Sequence, residues 1–202
     1  MSTAAHGRRG IRNSVTECIG DTPLVRLSKL AAGLPAEVIA KIENVNPLWS
    51  VKDRIALAMI EAAENSGELQ PGMIVLEASS GNTGIGLACV CAARGYQLQV
   101  AMPETATIER RRLVLAFGAE VILTPAAEGM AGAIRRAEQM LACAGGRCFM
   151  PRQFQNPANP AVHRRTTAEE TGRDTNGQID MFVRGVGTVG TITPCTLLTL
   201  SR

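Results

Sequence analysis

Aromatic residues are scarce in this 202-residue chain, which has one Trp, one Tyr and four Phe. So few rings cannot build a base-stacking surface, and a scattered net charge of +3 supplies no basic patch for nucleic acid. No apolar run approaches the roughly 18 residues that a membrane span needs. Two histidines leave a zinc site few ligands. None of the cysteines (Cys18, Cys89, Cys91, Cys143, Cys148, Cys195) forms C-x-x-C. No metal site is therefore expected, and the thiols read as free groups of a protein in a reducing cytoplasm. Acidic residues are missing before Glu17, yet the basic stretch at the start has no apolar face. Residues 1–12 read as a disordered tail rather than an organellar presequence.

What is present is alternation. Strand-like runs are expected at Val38–Ile42, Met73–Leu76, Leu98–Met102, Val121–Leu123 and Met181–Val183. Helix-like stretches are expected at Val51–Ser66, Gly84–Arg94, Ile108–Phe117 and Ala131–Cys143, closed by Gly67, Gly95, Gly118 and Gly145. Alternation on this scale predicts an α/β fold with mainly parallel sheets, and 46% hydrophobic residues suffice for a core. Pro151–Pro160 carries three prolines and reads as a crossing loop.

Three segments carry chemistry. Lys52, in Asn46-Pro47-Leu48-Trp49-Ser50-Val51-Lys52-Asp53-Arg54, stands just inside a helix start, where the helix dipole disfavours a cation and favours the neutral amine. Ser50 is placed to cap that helix, with Asp53 accepting back. A neutral, positioned amine suits Schiff-base chemistry, although a lone lysine is more often simply solvated. The second segment, Glu77-Ala78-Ser79-Ser80-Gly81-Asn82-Thr83-Gly84, follows an apolar strand and opens a small-residue helix. Hydroxyls and free N–H groups at a helix start make either an anion site or an ordinary capped turn. The third, Gly185-Val186-Gly187-Thr188-Val189-Gly190-Thr191, matches G-x-G-x-x-G. No Asp or Glu follows Asp180, so the ribose contact of a dinucleotide site is missing and a glycine-rich anion cradle remains.

With these segments in the same order, the chain resembles the cysteine synthase (O-acetylserine sulfhydrylase) family of pyridoxal-phosphate enzymes, sister to cystathionine β-synthase. The likeness runs from about Asn13 to Thr193. It includes Ile19-Gly20-Asp21-Thr22-Pro23-Leu24-Val25-Arg26-Leu27, Met102-Pro103-Glu104 with Glu109-Arg110-Arg111, Gln153-Phe154-Gln155-Asn156-Pro157-Ala158-Asn159-Pro160, and His163 with Thr166-Thr167. The resemblance implies fold type II (tryptophan synthase β-like): two three-layer α/β domains with the cofactor between them. Residues 35–150 would form the smaller domain, and 13–34 with 151–202 would begin the larger one. Family members continue through further strands and a serine-bearing loop, so the larger domain is expected to be incomplete and the chain truncated. Residues 193–202, with Pro194 and no helical polarity, depart from the family's amphipathic helix.

By this resemblance Lys52 would hold pyridoxal 5'-phosphate covalently and act as general base. Asn82 would touch the cofactor, and Gly187, Thr188, Val189, Gly190 and Thr191 would cradle its phosphate. Ser79, Ser80, Thr83 and Gln153 would bind the substrate carboxylate. The implied reaction is β-replacement, O-acetylserine plus sulfide giving cysteine plus acetate, in a cytoplasmic homodimer. A cystathionine β-synthase-like enzyme or an inactive truncated paralogue are the alternatives. Val189 stands where most members have glycine, and Ser79 where threonine is common. Trp49 is expected to pack beside the lysine loop.

Overall fold

The structure, a computed structural model, describes residues 10–185 and Gly187. Strands β1 (Leu24–Arg26) and β2 (Ile39–Lys41) pair antiparallel, with Val25 opposite Ala40. Helix α1 (Lys52–Ser66) follows, then β3 (Ile74–Ala78), α2 (Asn82–Arg94), β4 (Gln97–Pro103), α3 (Ile108–Ala116), β5 (Glu120–Thr124), α4 (Gly129–Cys143) and β6 (Cys148–Phe149). The last helical region comprises α5 (Ala158–Val162), a π-helical stretch His163–Ala168, and α6 (Glu169–Asp174).

Strands β5-β4-β3-β6 form one parallel sheet in that order. Its strands read as nearly continuous apolar runs because both faces are covered. Val75, Leu98, Val100 and Met102 face α1 and α2, in a core with the fully buried Ile55, Met59, Ile60 and Leu87. Leu76, Ala78 and Ala101 face the other way, onto Ala133 and Ala137 of α4. Period-two alternation therefore sets Glu77 beside Val75, on the α1–α2 face.

Helices α1 and α2 run in the same direction. Arg94 at the end of α2 bridges Glu61 and Glu64 late in α1, while Gly86 meets the first turn of α1. A Cβ on Gly86 would come 3.1 Å from the Ala56 Cβ and 3.3 Å from the Lys52 carbonyl oxygen, so any larger residue would push the two helix starts apart by a few tenths of an ångström.

Four expectations need correction. Residues 181–183 are not in a strand, and Met181 and Val183 are exposed, because no described strand lies beside them to take their backbone hydrogen bonds. The proline-rich crossing loop turns helical from Ala158 onward, since proline is tolerated in a first turn. The expected capping box at α1 is rearranged. The Ser50 Oγ accepts from the Lys52 N–H at 3.0 Å, while the Asp53 carboxylate accepts from the Leu48 N–H at 2.7 Å instead of from Ser50. Trp49 does not pack: it is 73% exposed and left-handed, with φ 56°.

No described helix is long and apolar enough to cross a membrane. Among the described residues, no group of three His, Cys, Asp or Glu is placed to hold a metal ion.

Candidate active site

Lys52 is the first residue of α1 and is half-buried. Burial lowers its amine from the usual lysine value, and the charge of Arg184 adds to the effect. Both favour the neutral, nucleophilic form. The start of α2 lies beside it through the Lys52–Gly86 contact, so the positive ends of two parallel helix dipoles face the same way.

The Ser79–Thr83 loop joins the carboxyl end of β3 to α2, the edge of a parallel sheet where ligands commonly bind. Ser79 is buried, and its Oγ accepts from the Gly84 N–H at 3.0 Å and the Gly81 N–H at 3.4 Å. This hydroxyl therefore orders the loop from inside and retains its own proton to donate. Ser80 is partly exposed, and its carbonyl accepts from Arg110 Nη1 at 3.3 Å. Asn82 is exposed at the first turn of α2. The buried Thr83 hydroxyl donates to Gln153 Oε1 at 2.7 Å. That bond draws two sequence-distant candidates together and leaves the Gln153 amide N–H₂ without a partner among the described residues. Of the glycine cradle, Gly187 is exposed, while Thr188, Val189, Gly190 and Thr191 lie outside the described residues.

Three further features carried no assigned role in the sequence reading. His163 is buried and shares a 2.9 Å hydrogen bond between its Nδ1 and Thr167 Oγ1. Burial pushes its imidazole down to about 3, helped by the charge of Arg184, so it is neutral at any ordinary pH. Arg54 is fully buried. Its Nη1 and Nη2 donate to the Glu170 carboxylate at 2.6 and 2.7 Å, and its Nε and Nη2 to Glu43 at 2.8 and 2.9 Å. Lys41 adds a 2.8 Å bridge to Glu170. The signal for this cluster was an arginine in the apolar face of a helix. Glu77, a charged residue inside an apolar strand, is the third; burial pushes it up to about 7 against the N–H groups of Ala78, Arg152 and Gln153, which pull it down.

A groove of about 790 Å³ lies beside the later turns of α1, lined by Met59, Phe149, Arg152, Gln155 and Arg165 among others. Neither Lys52 nor the Ser79–Thr83 loop borders it, so this groove is separate from the candidate residues.

A half-buried lysine amine thus lies next to a hydroxyl-rich helix start in an α/β frame, which sets a nucleophilic group beside N–H donors able to meet an anion. The comparisons make this specific. Residues 15–197 match the family described as "Pyridoxal-phosphate dependent enzyme", and the chain belongs to it. Cysteine synthase A of Salmonella typhi is 51% identical over 184 residues, 91% of this chain and 55% of that protein. Cysteine synthase A of Escherichia coli K12 is 51% identical over 181 residues, 90% of this chain and 54% of that protein. The crystal structure of cysteine synthase from Entamoeba histolytica superposes with a TM-score of 0.92 at 38% identity, covering all of this chain and 61% of that one. An O-ureido-L-serine synthase structure matches with a TM-score of 0.88 at 42% identity, covering 96% of this chain and 61% of that one. The chain thus spans about half the length of the curated relatives it matches.

Proposed function

We propose that this chain carries the lysine and substrate-loop part of a cysteine synthase, which joins O-acetylserine and sulfide into cysteine and acetate by β-replacement on pyridoxal phosphate. The observation that carries the reading is the Lys52 amine, held half-buried with lowered basicity beside the start of α2. The described residues fit the cofactor: a nucleophilic amine, an exposed Asn82, and two helix starts offering N–H groups to an anion. When bound, pyridoxal phosphate supplies an electron sink for negative charge at the substrate Cα.

Each remaining task falls to the chain itself. Lys52 Nζ would anchor the cofactor, then take and hold the Cα proton. Ser79, Ser80, Thr83 and the Gln153 amide would bind the substrate carboxylate, with Asn82 against the cofactor ring oxygen. Gly187, Thr188, Val189, Gly190 and Thr191 would receive the phosphate. Residues 35–150 would act as the smaller domain, a division supported by the parallel sheet lying wholly within 74–149. Cytoplasmic location and homodimerisation belong to the same reading, and the free thiols of Cys18, Cys89, Cys91, Cys143 and Cys148 support a reducing compartment.

The test is to incubate the purified chain with pyridoxal phosphate, reduce with borohydride, map the modified peptide, and assay cysteine formation from O-acetylserine and sulfide. Modification at Lys52 with sulfide-dependent cysteine is the expected result. Modification elsewhere would overturn the lysine assignment. Turnover of serine instead of O-acetylserine would move the chain to the cystathionine β-synthase-like side of the family.

A further inference from the structure

Beneath the candidate carboxylate site the parallel sheet is cut short. Strand β6 pairs with β3 only through Ile74–Cys148 and Val75–Phe149, then peels away into the 150–157 segment. Past these two pairs β3 has no strand on that side: the Ile74 N–H still donates to the Arg147 carbonyl, but Ala78, four residues on, has no strand to meet. The Glu77 side chain fills that gap. Its Oε1 accepts the Ala78 N–H at 2.9 Å, and the N–H groups of Arg152 and Gln153 also approach its carboxylate.

The segment that lies against the Glu77 carboxylate is the one that carries Gln153. Arg152 turns with φ 52°, a left-handed conformation that costs a non-glycine residue energy and persists only when its surroundings fix it. The Gln153 carbonyl accepts from Asn159 Nδ2 at 2.9 Å, and its side chain accepts from Thr83 at 2.7 Å. Glu77 would complete the set by holding the backbone N–H side. Its other oxygen, Oε2, is buried with no hydrogen-bond partner among the described residues, and Glu77 as a whole is only 3% exposed. A leucine in that strand would avoid the penalty of burying such an oxygen, so sheet packing gives no reason for a carboxylate there.

We infer that Glu77 is a positioning residue, which stands in for the missing strand and fixes the 152–153 turn so that the Gln153 amide faces the substrate-carboxylate site. This rests on the proposed function for the role of Gln153, but the bracing itself can be read without turnover.

The experiment is amide hydrogen exchange on the full 202-residue chain, with Glu77→Gln and Glu77→Leu beside the wild type and no substrate present. Exchange in the 150–157 peptide should accelerate about tenfold in Glu77→Leu, the size expected for losing a hydrogen bond to a charged group, and less in Glu77→Gln. The α1 peptide 52–66 should keep its protection. Where the wild type turns over, the same variants should raise the KM for O-acetylserine with kcat nearly unchanged. Unaltered exchange at 150–157 in a folded Glu77→Leu protein would overturn the inference, as would equal loss of protection along the whole chain. Should Glu77→Leu fail to fold, Glu77→Gln decides on the same peptide. A wild type without turnover but with the expected exchange pattern would remove the proposed function and leave the brace standing.

Discussion

Two buried polar regions, one around Arg54 and one beneath the Ser79–Thr83 loop 25 residues further on, are built on opposite terms. Around Arg54 all three guanidinium nitrogens are bonded to Glu43, Glu170, Thr22 or Thr166, and the Asp21 and Thr22 N–H groups complete Glu170. Burial alone would raise Glu170, but hydrogen bonds from Arg54 and Lys41 outweigh it and hold the carboxyl near about 2. Toward the carboxyl ends of β3 and β5 and in the first turn of α1 the account is left open: Glu77 Oε2, Thr124 Oγ1 and Asp53 Oδ1 are buried without partners among the described residues. Asp53 is pushed up to about 6, chiefly by burial, where the Arg54 carboxylates go down. A saturated polar cluster fixes how segments meet; an unsaturated one marks where the fold tolerates cost, here next to the candidate site.

Swapping the two regions' vulnerabilities is the sharpest way to break the comparison. Lys52→Ala should abolish borohydride-trapped cofactor and sulfide-dependent cysteine formation, yet leave the denaturant midpoint unchanged or slightly raised. The lysine is half-exposed at a helix start whose dipole repels it, so its removal releases a small strain. A large loss of stability in Lys52→Ala would show that the reactive region is also structural. Arg54→Ala should do the reverse. It strands Glu43 and Glu170 as buried charges and should cost about 3–5 kcal/mol in a urea melt. A loss under about 1 kcal/mol would mean that water fills in behind the arginine and that the cluster is not sealed.

The two regions also differ in how far the sequence announces them. Strand–helix alternation is visible because period-two and period-3.6 patterns are local, and α1 to α4 and β2 to β5 lie close to where those patterns fall. β6 is too short to carry a pattern: Cys148–Phe149 is a strand only because β3 is beside it. Conversely, 181–183 has an apolar strand's composition but no described neighbour. Lys52, the 79–83 loop and Gln153 were legible as motifs, but the Thr83–Gln153 bond spans 70 residues and belongs to tertiary structure. The Arg54 cluster joins residues as much as 148 apart, Thr22 and Glu170, only through the fold. Trp49 shows the limit most plainly, since nothing in its identity says that the turn before Lys52 throws it outward.

Acid and base should separate the regions in one titration. Glu77 is raised from its ordinary 4.5 to about 7, and Asp53 from 3.8 to about 6. A folded-state value above the unfolded one favours the protonated folded form. Their contribution is therefore complete below about 4 and is lost as pH climbs through 6 and 7. Glu170, lowered from 4.5 to about 2, contributes above 4.5 and loses that contribution as pH falls toward 2. Stability should thus peak near pH 4.5–5 and decline by on the order of 2 kcal/mol toward pH 8. Glu77→Gln should flatten the upper limb and leave the acid limb intact. An upper limb equally steep in that variant would assign it to other groups.

The smallest effect should come from Thr83→Ala, and it tests whether the open region is organised for an amino acid or for a phosphate. The hydroxyl is buried, and its bond to Gln153 Oε1 ties the 79–83 loop to the 151–157 segment. Removing it frees the Gln153 side chain to rotate away from the site. A bond of this kind contributes about 1–1.5 kcal/mol, so binding of a substrate carboxylate should weaken by roughly tenfold. Cofactor retention should hold within about twofold, because the proposed function gives Thr83 the substrate carboxylate and not the phosphate. The two affinities can be read separately, cofactor by equilibrium dialysis and amino acid by the absorbance change on adding O-acetylserine to the loaded protein. Equal weakening of both would place the phosphate on the 79–83 loop, and would make the α2 start, rather than the glycine-rich segment, the anion cradle of this chain.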